Sequence, residues 1–456
     1  MQDSFVDRMN TTEIRATAGL SLVFAFRMLG MFMVLPVLAT YGLELQGATP
    51  ALIGLAIGAY GLTQAVFQIP CGILSDRIGR LPIIYAGLII FALGAVVSAC
   101  SESIWGVIAG RILQGAGAIS AAIMALLSDL TREQHRTRAM AAMGLSIGLS
   151  FAAAMILGPL LTHAFGLSGL FWATMLMALL GLIIIRFMPK TQKHEHRETV
   201  INRELLGKTL KNPDLLRINL GIFALHAVLM ASFVALPLAL VEQGGLSREH
   251  HWLVYLGTLV LGFISMVPFI IYGEKKRQMK RVLLGAISLL LFCEVFFWLF
   301  AHSLWLLIFG MLLFFTTFNL LEASLPSLIS KVSPAGSKGT AMGIYATSQF
   351  LGAALGGILG GWLYQQSGAE AVFLLCTGVS AFWLYQARSM TEPPYVTSAR
   401  FELPEQQTNL QNISVQLLSL PGVTEVSIVE QESALYVKFD SHQVSWSQLQ
   451  ATLHRS

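Results

Sequence analysis

Residues 72–80, GILSDRIGR, form a polar turn between two uncharged apolar runs, 51–72 and 81–100. Each run holds about 20 residues, the length that an α-helix rising about 1.5 Å per residue needs to cross a hydrocarbon core of roughly 30 Å. Two such runs joined by a turn carrying Asp76, Arg77 and Arg80 read as a hairpin of membrane helices folded at the bilayer surface. Strands would need only about half that length.

Outward from this hairpin the pattern recurs along most of the chain. Twelve apolar spans are expected, at 14–40, 51–72, 81–100, 103–128, 139–164, 168–188, 214–240, 252–272, 281–301, 304–329, 338–364 and 369–387. The composition agrees, with 55% hydrophobic and 12% charged residues against about 25% charged in soluble domains, and a mean hydropathy of +0.67. Asp3, Asp7, Arg8, Glu13 and Arg15 precede or open the first span without a small-residue cleavage site, so a retained helix is expected rather than a signal peptide.

Basic residues fall in alternate connections. Arg77 and Arg80, then Arg132, Arg136 and Arg138, then Lys190 to Lys211, then Lys275 to Arg281, then Lys331 and Lys338 share one side, and the opposite connections offer essentially Arg248. Lys and Arg are retained in the cytoplasm, so a multi-pass membrane protein with both termini cytoplasmic is expected. The formal net charge of +4 follows from this bias and implies no nucleic-acid partner. Cys71, Cys100, Cys293 and Cys376 lie in or at the ends of spans without metal-ligand spacing, and are expected to be free thiols filling helix interfaces.

The spans form a repeat of about 200 residues, a common construction in transporters. Leu35-Pro36 matches Leu236-Pro237, Pro70 with Asp76-Arg77 matches Pro268 with Glu274-Lys275, and Ala142-Met143-Gly144 matches Ala341-Met342-Gly343. The expected organisation is a six-helix bundle at 1–188, a cytoplasmic linker at 189–213, a second bundle at 214–387, a short linker at 388–398 and a soluble α+β domain at 399–456. Gly110, Gly115 and Gly117 in the fourth span, and Gly352, Gly356, Gly357, Gly360 and Gly361 in the eleventh, suit helices that approach closely. In the tail, Ala399, Phe401 and Leu403 alternate as in a strand, and Leu410, Ile413, Leu417 and Leu420 follow helical spacing up to Pro421-Gly422. Val426 with Ile428, and Leu435, Val437 and Phe439, read as two further strands joined near Glu432-Ser433, before a helix carrying Trp446, Leu449 and Leu453.

The 72–80 turn resembles the signature loop of the major facilitator superfamily, departing from it at Leu81, where a second basic residue is common. Arg111, Gln114, Gly115 and Gly117 resemble the family's intramembrane arginine motif, and Gly158-Pro159 resembles its antiporter motif, incompletely because Ala154 and Thr162-His163 replace glycines. The resemblance covers residues 14–387 and implies an all-α membrane fold of two pseudo-symmetric six-helix bundles in the cell inner membrane, with proton-coupled drug export. The tail is similar to ferredoxin-like modules of metal carriers, but Pro404-Glu405-Gln406-Gln407 stands where those carry paired cysteines, so no metal is expected there. A regulatory ligand or partner at an acidic tail surface is expected instead.

Within the spans ionisable groups are few, which marks each as a candidate for the substrate and proton pathway. Arg27 and His226 lie near the midpoints of spans one and seven, Arg111 nearer the outer face and Glu322 nearer the cytoplasm. Glu294 sits in span nine, a peripheral supporting helix in the resembled family, so a structural or lipid-boundary role is weighed equally with a functional one. Gly72, Asp76, Arg77, Gly79, Arg80, Asp129, Glu133 and Arg138 form the candidate conformational gate, with Asp129 and Glu133 expected to pair with Arg77 or Arg138, and Gly158-Pro159 is the candidate hinge. No nucleotide loop, metal cluster or nucleophile–base set occurs in the sequence, so neither a cofactor nor an enzymatic activity is expected. Efflux of a small amphipathic substrate driven by protons, with membrane lipid as solvent, is the leading expectation. The alternative is a non-transporting sensor signalling through the tail.

Overall fold

A computed structural model describes residues 9–189, 211–333, 338–393, 395, 397–402, 410–429, 434–440, 443–444 and 446–455. Most of the expected 189–213 linker, the 404–407 segment and the turn at 432–433 lie outside the described residues.

Ten helical stretches are long and apolar enough to cross a membrane, and two of these double back. The backbone leaves helical geometry at Gly166 (φ +68°) within Glu133–Arg186 and at Gly368 (φ +73°) within Lys338–Arg388, a left-handed conformation that strains a residue bearing a Cβ. Beyond Gly166 the chain returns: Ser168 Oγ donates to the Ala99 carbonyl at 2.6 Å, and Met188 reaches Gly19 near the start of the first span. Beyond Gly368, Trp383 likewise comes back against Gly221 near the start of the seventh. The described residues therefore make twelve passes.

Two spans expected as single helices are broken. The first runs Thr11–Phe32 and resumes at Leu35–Tyr41, where Pro36 has no N–H to return to the preceding turn. Its repeat mate Pro237 sits inside an unbroken seventh span, Pro213–Glu242, so the proline permits the break without compelling it. The fourth span runs Ile104–Ala116 and resumes at Ser120–Leu130, with Gly117 pressed on the Gly87 carbonyl of the third, Arg80–Ala99. The second is Pro50–Ile78, the eighth His251–Lys275, the ninth Met279–Phe300 and the tenth Leu304–Val332.

The eleventh span is a double seam. Its Gly352, Gly356 and Gly360 lie on Phe223, Ala227 and Ala231 of the seventh span, and its Phe350, Ala354, Gly357 and Gly361 lie on Gly61, Gly58 and Gly54 of the second, in the other half. A Cβ on Gly54 would stand 2.3 Å from the Gly357 carbonyl oxygen, so backbones meet directly where the halves join. Of the cysteines, Cys293 and Cys376 are buried as expected, whereas Cys100 is exposed at the end of the third span and fills no interface.

The tail forms strands β1 (Thr397–Glu402), β2 (Val423–Val429) and β3 (Ala434–Phe439), with helices Leu410–Leu418 and Trp446–Arg455. β3 lies between β1 and β2 and is antiparallel to both, the split βαβ arrangement expected of a ferredoxin-like module. Ile413, Leu417, Leu435, Val437, Phe439, Val444 and Leu449 form its core. The tail docks on the second half: Asp440 receives Arg277 through two 2.8 Å hydrogen bonds, Tyr395 Oη accepts from Met279 N at 2.8 Å, and Lys438 Nζ donates to the Ser333 carbonyl at the end of the tenth span. Arg277, at φ +53°, also lies over the Tyr395 ring.

Candidate functional site

Two polar clusters occupy the middle of the molecule, one in each half. In the first half Arg27, 1% exposed, donates to Ser120 Oγ at 2.9 Å and to Gln64 Oε1, with Phe91 beside its guanidinium. The break in the fourth span places Ser120 at the start of the resumed helix, where it meets Arg27. Arg111, also 1% exposed, donates to Gln114 Oε1 at 3.0 Å and lies 4.6 Å over the Tyr60 ring. Among the described residues neither arginine meets a carboxylate.

In the second half three spans converge. His226 Nε2 of the seventh lies 2.8 Å from Gln349 Nε2 of the eleventh and 3.9 Å from Glu322 Oε2 of the tenth, and Gln349 Nε2 lies 3.4 Å from Glu322 Oε1. His226 Nδ1 faces the Ile222 carbonyl at 3.3 Å, so the proton is assigned to Nδ1 and Nε2 accepts from Gln349. The Glu322 side chain is 31% exposed and that of His226 only 5%, while Glu322 Oε2, the oxygen nearer the imidazole, is itself buried. The structure thus brings His226 and Glu322 together, and among the described residues no hydrogen bond or ion pair links them to Arg27 or Arg111. Gln349 was absent from the sequence candidates because a neutral amide carries none of the charge signal that singled out the others.

Glu294 is not at a lipid boundary. It is fully buried, facing Ser232 of the seventh span, whose Oγ donates to it at 3.4 Å.

At the basic end of the bundle Gly79 (φ +104°) turns the second span into the third, and Arg80 meets Asp76, Ser75 Oγ at 2.9 Å and Asp129 at 3.3 Å. Asp129 therefore has Arg80 as partner where Arg77 or Arg138 was expected. Both of those arginines are exposed, and Gly72 lies beside Ala121. The Glu133 side chain lies outside the described residues. Glu13, unforeseen, clasps Arg132 with contacts of 2.8 to 3.0 Å. Gly158 presses on the Met33 carbonyl at the break of the first span, and the backbone stays helical through Pro159, so the pair marks a close approach in this conformation.

At the opposite end the two halves are tied together. Arg248 bonds Glu44 at 2.5 Å and lies over Tyr41, His163 faces Glu249 at 3.6 Å, and Ala51 N donates to Gln365 at 3.1 Å. Between described residues, the ion pairs that join the halves fall at this end. In the middle, Phe151 of the first half meets Phe318 of the second at 5.5 Å.

Paired bundles joined through a close-packed seam, with polar clusters at mid-depth, define a membrane transporter, and the chain belongs to the Major Facilitator Superfamily, whose sequence profile matches residues 20–353 and 276–421. A second profile, the YajR YAM domain, matches residues 399–452. The chain is 54% identical over 436 residues to the inner membrane transport protein YajR of Escherichia coli (strain K12), covering 95% of this chain and 96% of that one. It is 25% identical to the multidrug resistance protein MdtH of Aeromonas salmonicida over 75% of this chain and 86% of that one. Among solved structures, the human organic anion transporter MFSD10 superposes with a TM-score of 0.61 at 21% identity, over 83% of this chain and all of that one.

Proposed function

We propose that this transporter exports a small amphipathic compound from the cytoplasm in exchange for protons, from an inner membrane in which both termini face the cytoplasm. The observation that carries the reading is the His226–Gln349–Glu322 cluster, two titratable groups on separate spans joined by one amide. Glu322 or His226 carries the coupling proton, while Arg27 and Arg111, which cannot release theirs in practice, set a positive field over the substrate path with Gln114 holding Arg111 in place. The likeness to a multidrug resistance protein supports a drug-like substrate class.

In this reading the tied end faces the periplasm and the substrate path opens toward the basic end. Asp76, Arg77, Gly79, Arg80, Asp129, Glu133, Arg138 and Gly72 belong to the gate that closes when the halves rock, and Gly158-Pro159 to the hinge. The tail, seated on the second half, serves a regulatory ligand or partner. Counterflow in proteoliposomes against a library of anionic, neutral and cationic amphiphiles tests the substrate class. Uptake of anions or neutrals ahead of lipophilic cations is expected, because two uncompensated arginines disfavour a third positive charge. Selective uptake of lipophilic cations contradicts the charge argument.

A further inference from the structure

Gln349 stands between the proton-carrying pair and the place where the two halves touch. Its side chain bridges His226 Nε2 and Glu322 Oε1. The next residue, Phe350, presents its carbonyl oxygen 2.8 Å from where Gly61 of the second span would carry a Cβ, and one turn on Ala354 contacts both Gly58 and Gly61. A single residue step therefore separates the cluster from the seam.

An amide NH2 only donates and an amide oxygen only accepts. As the cluster stands, the amide nitrogen of Gln349 faces two acceptors, the bare Nε2 of His226 and a carboxylate oxygen. Glu322 Oε2 has no hydrogen-bond partner among the described residues, and it is the oxygen that lies 3.9 Å from His226 Nε2. A proton delivered from solution as hydronium, which leaves as water, bonds to Glu322 Oε2, and the charge of the pair rises by one. Held there or passed to His226 Nε2, that proton draws the two atoms together from 3.9 Å into a Glu322–His226 hydrogen bond and takes the position the Gln349 N–H had used. The amide then loses His226 Nε2 as an acceptor and keeps Glu322 Oε1; turned over, it presents its oxygen as an acceptor to a protonated Nε2. Tyr345 of the eleventh span, whose hydroxyl has no partner among the described residues, is the other titratable group facing Glu322 at this point.

We infer that Gln349 is the positioning residue that transmits the protonation state of the His226–Glu322 pair to the seam between the second and eleventh spans, its amide adopting one orientation for each state. This rests on the reading that the pair carries the coupling proton. It assigns Gln349 no contact with substrate.

The test follows the distance between one spin label in each half at the basic end, over a pH series, in full-length protein in nanodiscs without substrate. Wild type is expected to redistribute between two distances as pH falls. Gln349→Met keeps length and loses hydrogen bonding, and is expected to reduce that redistribution by about fivefold or more, the lower end of ordinary coupling between sites, with thermal stability within a few degrees of wild type. Adding Gln349→Met to His226→Gln/Glu322→Gln is expected to change nothing further. A full pH response in Gln349→Met, together with loss of the response in His226→Gln/Glu322→Gln, overturns the role of Gln349 alone. A full response in His226→Gln/Glu322→Gln overturns the underlying reading of the pair.

Discussion

Arg27 and Arg111 pose an energetic question at the scale of single residues. Burying a guanidinium without a carboxylate costs several kcal/mol even after relaxation. Hydrogen bonds to a charged group return about 1.5 to 3 kcal/mol each, and a desolvated cation–π contact about 2. Arg27 with two hydrogen bonds, and Arg111 with one and Tyr60, come out near balance. An apolar residue of similar size would serve stability equally well, which favours a role in function. Arg111→Met is accordingly expected to leave the melting temperature within a few degrees and to reduce counterflow at least tenfold, measured on the same preparation. A large loss of stability with wild-type transport per folded molecule contradicts this. Charge made these residues legible in the sequence, since a charged side chain within an apolar span is rare. The same rule led past Gln349 and Ser120, which are neutral, and it offered no means of seeing that Asp129 would select Arg80, because partner choice depends on how Gly79 aims the start of the third span.

At the scale of elements, hydropathy was sufficient to place all twelve passes, because about 20 apolar residues in succession have few other uses in a folded chain. The breaks in spans one and four were not legible. Pro36 breaks its helix while Pro237 does not, so the outcome depends on neighbours, here the approach of Gly158 to the Met33 carbonyl. The glycines of the eleventh span announced a close approach, and the structure adds its two directions. Gly356 faces Ala227 within the half, and Gly357 faces Gly54 and Gly58 across the halves. The two positions are expected to respond differently. Overpacking costs typically 1 to 3 kcal/mol, so Gly356→Val should lower thermal stability by that amount. Gly58→Val should instead shift the conformational distribution away from the tied state, read as a longer distance between labels at that end. Equal effects of both on stability, with no change in distance, would contradict the division.

For the molecule as a whole, the side chains that tie the two halves at the end opposite the tail are polar and partly exposed. The Arg248–Glu44 pair is of the kind usually worth about 0.2 to 1 kcal/mol, so Arg248→Ala should change the population of the tied state by up to about fivefold, with little effect on unfolding. The charge bias of the connections points the basic end and the tail to the cytoplasm. A cysteine at Gln443, exposed beside Asp440, should resist a membrane-impermeant maleimide added to intact cells and react after permeabilisation. Labelling in intact cells would reverse the orientation. The tail's own strands and helices were legible from alternation and spacing, whereas its seat on the second half was not, because Arg277–Asp440 and Lys438–Ser333 pair residues far apart in the chain. The central claim is that transport is coupled to a proton held by His226 and Glu322. It is tested most directly by substrate-dependent proton flux in proteoliposomes containing His226→Gln/Glu322→Gln, using a substrate identified by counterflow. The account predicts that counterflow persists in this variant while proton flux falls to the level of empty liposomes; full proton coupling in the variant would contradict it.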